Sequence, residues 1–156
     1  MNSQRRLMLK SSFATAALGT AVAAGLITPR SIMAANLPNA FAAKSVTGVI
    51  NEMFAGQTRL TSQQVQIKAP DIAENGAVVP VTVTSDLKDI ESISLLVSNN
   101  ATPLVASYTF EPGTEAFIST RIKMGKTSEV EAIVKAGGKL YTASKEVKVT
   151  IGGCGG

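Results

Sequence analysis

From Leu60 to Ile151 apolar residues recur at every second position, in seven runs separated by turn formers. That period admits little besides β-strands, because successive side chains on a strand point to opposite faces. Val65, Ile67 and Ala69 end at Pro70; Val79, Val81 and Val83 end at Ser85-Asp86. Ile93, Leu95 and Val97 lead into Asn99-Asn100 and Pro103; Leu104, Ala106, Tyr108 and Phe110 lead into Glu111-Pro112-Gly113-Thr114. Ala116, Ile118, Thr120, Ile122 and Met124 precede Gly125-Lys126, and Val130, Ala132 and Val134 precede Gly137-Gly138. Val147, Val149 and Ile151 close the series, and Asp71–Gly76 reads as a loop. Paired glycines suit a tight hairpin, since both central positions can take positive φ. Short alternating strands with regular turns predict an antiparallel β-sandwich, each strand with one face in the core and one in water.

Upstream the period changes to that of a helix. Val46, Val49, Ile50, Met53 and Phe54 form one apolar stripe within residues 45–56. Ser45 is placed to cap the start and Gly56 to end the helix, which is expected to lie on the domain core. A chain of 156 residues allows one such domain.

The net charge of +4 is confined to the first 42 residues, which hold Arg5, Arg6, Lys10 and Arg30 and no acid; the remaining 11 bases and 11 acids cancel. No basic stripe is left to argue for nucleic acid. Residues 1–42 read as an export leader. Arg5-Arg6-Leu7-Met8-Leu9-Lys10 fits the twin-arginine pattern, and Ala14–Ile27 is an apolar stretch too short and too weakly hydrophobic to span a membrane comfortably. Ala40-Phe41-Ala42 fits an A-x-A cleavage site, making Ala43 the mature start; cleavage after Ala34 or Ala35 is the rival. Twin-arginine export moves folded proteins, so residues 43–151 are expected to work in the periplasm, free of the membrane once cleaved. That compartment is oxidising.

The chain has no histidine and one cysteine. Ser-His-Asp and Cys-His catalysis are thereby excluded, as are imidazole metal ligands and an internal disulfide. No cofactor is expected. Carboxylates at Asp86, Asp89 and Glu91, and at Asp71 and Glu74, read as solvated turns, and Lys123, Lys126, Glu129 and Glu131 as a solvated face. The one thiol, Cys154, lies between Gly152-Gly153 and Gly155-Gly156. Residues 152–156 thus read as a flexible arm. Three steps from Ile151 reach about 10 Å at ~3.3–3.6 Å each, enough to place the thiol in a partner's cleft. The thiolate is the reactive form of cysteine. With no histidine in the chain, activation is expected to come from a partner's site.

Three readings of that arm differ in chemistry. Cys154 can carry a group covalently. It can merely form an intermolecular disulfide of an exported structural domain. Gly155-Gly156 can instead act through a terminal thiocarboxylate, as in ubiquitin-like sulfur carriers, although that route needs ATP and a β-grasp has fewer strands.

Taken together, the twin-arginine leader, short helix, β-rich domain and Gly-Gly-Cys-Gly-Gly end resemble the SoxY family, the sulfur-carrier subunits of the periplasmic thiosulfate-oxidising (Sox) system. Ile72-Ala73-Glu74-Asn75-Gly76 with Val79-Pro80, and Ser119-Thr120-Arg121-Ile122, carry the resemblance internally. It implies an immunoglobulin-like sandwich that pairs with a second β-sandwich subunit, SoxZ, and sulfur bound covalently at Cys154. It further implies a c-type cytochrome that couples thiosulfate to the thiol and a metal-centred hydrolase that releases sulfate. In some systems a molybdenum enzyme oxidises the sulfur left behind. The carrier itself is not a catalyst.

Overall fold

The computed structural model describes residues 37–150. Two helices, α1 (Leu37–Ala42) and α2 (Val46–Phe54), precede nine strands. These are β1 (Arg59–Thr61), β2 (Val65–Lys68), β3 (Ile72–Ala73), β4 (Val79–Ser85), β5 (Ile90–Val97), β6 (Leu104–Thr109), β7 (Phe117–Ile122), β8 (Ser128–Ala136) and β9 (Lys139–Val149). The larger sheet runs β1-β9-β8-β5-β6, with β3 also on β9; the smaller runs β2-β4-β7. Both are antiparallel except where β1 and β3 join β9 in parallel.

The alternating residues meet between the sheets as expected. Val79, Val81 and Val83 of β4 face Ile93, Leu95 and Val97 of β5 and Val130, Ala132 and Val134 of β8 in one buried cluster. The other face of the larger sheet departs from the expectation of a solvated surface. Leu96, Leu104, Ile133 and Leu140 are buried there beneath Ala40 of α1 and Val49, Ile50 and Phe54 of α2. A sheet covered on both faces needs apolar residues at consecutive positions. Leu95-Leu96-Val97 and Ala132-Ile133-Val134 supply them.

The caps of α2 follow the sequence. The Ser45 hydroxyl accepts from the Gly48 N–H at 3.1 Å. Ala55 then turns left-handed at φ 50°, with Gly56 following at 72°. Gly137 and Gly138 close the β8–β9 hairpin at φ 54° and 73°. Three strand assignments differ from the sequence expectation. β1 and β3 lie where no alternating run marks them, and β9 begins at Lys139 rather than near Val147. In β9 the buried side changes with position: Leu140 faces the helices, whereas Tyr141, Ala143, Val147 and Val149 face the smaller sheet.

Glu91 fastens the hairpin end of the molecule. The β5–β8 register shifts between Ile90 and Ser92, leaving Glu91 as the extra residue of a bulge. Its carboxylate meets the Lys135 ammonium at 2.7 Å and accepts from the Gly138 N–H at 3.0 Å. The Lys135 hydrogen bond, then that from Gly138, holds the Glu91 carboxyl below its ordinary value of 4.5. A lowered folded-state pKa gives stability that is complete above the unfolded value and lost as pH falls through the folded one. Glu91→Gln should therefore lower stability at pH 7 by up to about 1 kcal/mol, the range for exposed pairs. The gap should close as pH falls below 4.5. Urea titrations at several pH values test this; a gap of equal size at pH 7 and pH 3 contradicts it.

Candidate functional site

Cys154, Gly152, Gly153, Gly155 and Gly156 lie outside the described residues, as do Arg5 and Arg6. What the structure describes is the base from which the terminal segment departs, the last turn of the ladder at Lys148–Thr150. β8 stops pairing with β9 at Ser128↔Val147. Two other groups take over beyond that point. On one side β3 runs parallel to β9, with Ile72 opposite Lys148 and Ala73 opposite Val149. There the Lys148 N–H donates to the Asp71 carbonyl at 3.0 Å and the Thr150 N–H to the Ala73 carbonyl at 3.1 Å. On the other side the Thr127 hydroxyl accepts from the Val149 N–H at 3.0 Å, replacing the missing strand. Backbone donors that β8 no longer reaches are thus satisfied up to Thr150.

Each clamp is itself held. The Lys145 ammonium donates to the Ala69 carbonyl at 2.7 Å and meets the Asp71 carboxylate at 3.0 Å, fixing the link from β2 to β3 against β9. The carboxylate is largely exposed, so the neutral carbonyl is the more specific of these two partners. Thr127 sits in the β7–β8 loop, which the β5–β6 turn staples in place. Asn100 accepts from the Gly125 N–H and donates to the Lys123 carbonyl, and Asn99 donates to the Thr127 carbonyl.

The internal motif has its physical reason here. Ile72 and Ala73 are the clamp strand. The Asn75 side chain accepts from the Ala77 N–H at 2.9 Å and turns the chain back. Gly76 fills the space between two neighbours. A Cβ there would stand 2.3 Å from the Met124 carbonyl oxygen and 2.8 Å from Val149 Cγ1. Pro80 falls beyond the end of β2, whose pairing stops at Lys68↔Thr82, so no β2 partner is deprived of its N–H. Ser119–Ile122 lies in β7 opposite Val79–Thr82. Two segments far apart in sequence, Ile72–Gly76 and Val147–Thr150, thus form one structure where the described chain ends.

The other charged groups singled out in the sequence take structural parts or stay apart. Glu131 pairs with Arg59 at 2.6 Å on the larger sheet. Asp86, Asp89 and Glu91 line an open hollow of about 750 Å³ beside the β4–β5 and β6–β7 loops. Strand directions place that hollow at the opposite end of the sandwich, about 30 Å away for strands of nine residues. Among the described residues no three metal-ligating side chains come together. Thr127 and Gly76 are the functional-site residues that sequence reasoning missed. The only signal for Gly76 was its place inside the motif, and Thr127 carried none.

A family model, that of the sulfur oxidation protein SoxY, matches residues 50–154. Among solved structures, the sulfur carrier protein SoxY from Chlorobium limicola f thiosulfatophilum is 43% identical, covers 70% of this chain and 96% of its own, and superposes with a TM-score of 0.64. A superoxide reductase (neelaredoxin) from Ignicoccus hospitalis matches at 24% identity over 56% of this chain and 81% of its own, TM-score 0.51; that likeness concerns the fold alone. No curated protein sequence matches.

Gly76→Ala should loosen the root. The added methyl meets a backbone carbonyl, which cannot rotate away, so β3 or Val149 must shift, at a cost of about 1–3 kcal/mol. Hydrogen exchange at the Lys148 and Thr150 amides should speed up more than at Leu95 in the core. Equal protection of those amides in the variant and the wild type contradicts the clamp.

Proposed function

The chain belongs to the SoxY family of sulfur oxidation proteins, and from that premise we propose that it carries sulfur covalently on Cys154 during periplasmic thiosulfate oxidation. It is a sulfur carrier rather than an enzyme, and its partners are those of the Sox system. The observation that carries the finer reading is that the family match runs to residue 154, and so includes the cysteine.

The chemistry follows from the thiol. Deprotonated Cys154 attacks the outer sulfur of thiosulfate while two electrons leave to a c-type cytochrome. The thiol and thiosulfate become a Cys–S–S–SO₃⁻ adduct, one proton and two electrons. Water then attacks the terminal sulfonate sulfur in a metal-centred hydrolase. Sulfate and two protons leave, and a persulfide Cys–S–S⁻ remains for a molybdenum enzyme or its equivalent. The carrier's own residues hold the adduct and present it. Gly152, Gly153, Gly155 and Gly156 leave the thiol free of neighbouring side chains, so one cysteine can enter several active sites in turn. Four residues beyond Thr150, the thiol reaches at most about 14 Å from the clamp. Docking of the domain sets the local concentration of the cargo at each partner.

Export by the twin-arginine leader at Arg5-Arg6 places this chemistry in the periplasm. A second β-sandwich subunit of the SoxZ kind accompanies the carrier. The support for it within this chain is the open sheet edges at β2, β7 and β6, whose unpaired backbone groups invite pairing or covering.

Cys154→Ser should abolish thiosulfate-dependent sulfate production in cells whose own carrier is deleted, with the variant exported and folded as judged by its circular dichroism. Undiminished sulfate production, with loss only of a disulfide-linked dimer, would favour the structural reading instead.

A further inference from the structure

The best sequence match to a leader-peptidase site, Ala40-Phe41-Ala42, lies in a folded element. α1 spans Leu37–Ala42 and packs on α2 and β6. Ala40 is wholly buried, in the cluster that also holds Val49, Phe54, Leu104 and Ile133. The Ala43 N–H donates to the Ala40 carbonyl at 3.3 Å, and the Ala43 side chain packs against the same cluster. Pro38 at the second position suits a helix start, where its missing N–H has no partner to lose.

A peptidase that selects small residues binds its substrate extended. Its pockets take the side chains one and three positions before the cut bond. For hydrolysis after Ala42 those are Ala42 and Ala40. Ala40 would have to leave the core and α1 would have to unwind. A twin-arginine substrate folds before export, so α1 is docked before the peptidase meets the chain. Hydrolysis there would then wait on local unfolding. It would also strip the cover from Val49, which is fully buried.

We propose that the leader is removed upstream of α1, and that the exported domain keeps Leu37–Ala42 as a permanent part of its core. Water adds across the peptide bond, leaving a carboxylate on the leader and a new amino group on the domain, ahead of α1. The proposal rests on the export reading of residues 1–42.

The test is the amino terminus of the full-length chain expressed in a bacterium with twin-arginine export and purified from its periplasm. Intact mass and terminal sequencing should give a chain that lacks Arg5-Arg6 and starts no later than Leu37. A start after Leu37, or a periplasmic chain with its leader still attached, overturns the proposal with the export reading intact, whereas a chain confined to the cytoplasm overturns both. Ala42→Lys gives an independent readout, because Ala42 is exposed and the substitution leaves the core untouched. A lysine directly before the bond blocks a small-residue peptidase at Ala42. Unchanged mature length, apart from the mass of the substitution, supports the upstream site; accumulation of uncleaved precursor overturns it.

Discussion

The pairing of β9 on both of its sides is the constraint on which the rest depends. β8 holds β9 on one edge from Lys139 to Val147, while on the other edge β1 pairs with Leu140–Thr142 and β3 with Lys148–Val149. Where β8 gives out, the Thr127 hydroxyl continues the hydrogen bonding. The strand therefore stays fixed to Thr150, four residues before the cysteine. In the proposed role of a tethered carrier, a rigid root matters because the tether sets the volume within which the thiol is delivered. If the last turns of β9 frayed, that volume would grow and docking of the domain would position the thiol less well.

The two-sided burial of the larger sheet serves the same end. β8 and β9 lie between the smaller sheet and the helices, with Ile133 and Leu140 buried on one side and Val134 and Val147 on the other. Local opening is least frequent in strands of this kind. The described domain brings no group of metal-ligating side chains together, and the chain has no histidine.

Much of this was legible in the sequence, and what was not has definite causes. Seven alternating runs correspond to β2 and to β4 through β9, and the Gly137-Gly138 turn and the Ser45 cap sit where the residues place them. β1 and β3 escaped because strands of three and two residues are too short to display a period. The first half of β9 escaped because its apolar residues serve two different cores, so Leu140 and Tyr141 stand side by side instead of alternating. At the root, the motif Ile72–Gly76 was visible as a string but its partner was not. The closeness of Gly76 to Met124 and Val149 is a contact across 48 and 73 residues, and no local pattern encodes it.

The central claim is that sulfur is bound to this chain through one thiol. The measurement that addresses it most directly is intact-mass spectrometry of the protein purified from cells grown with and without thiosulfate, before and after treatment with reductant. The account predicts mass additions of sulfur or of a thiosulfonate in the thiosulfate-grown sample, lost on reduction and mapped to the peptide containing Cys154. An unmodified thiol, or only a disulfide-linked dimer, during active thiosulfate oxidation would contradict it.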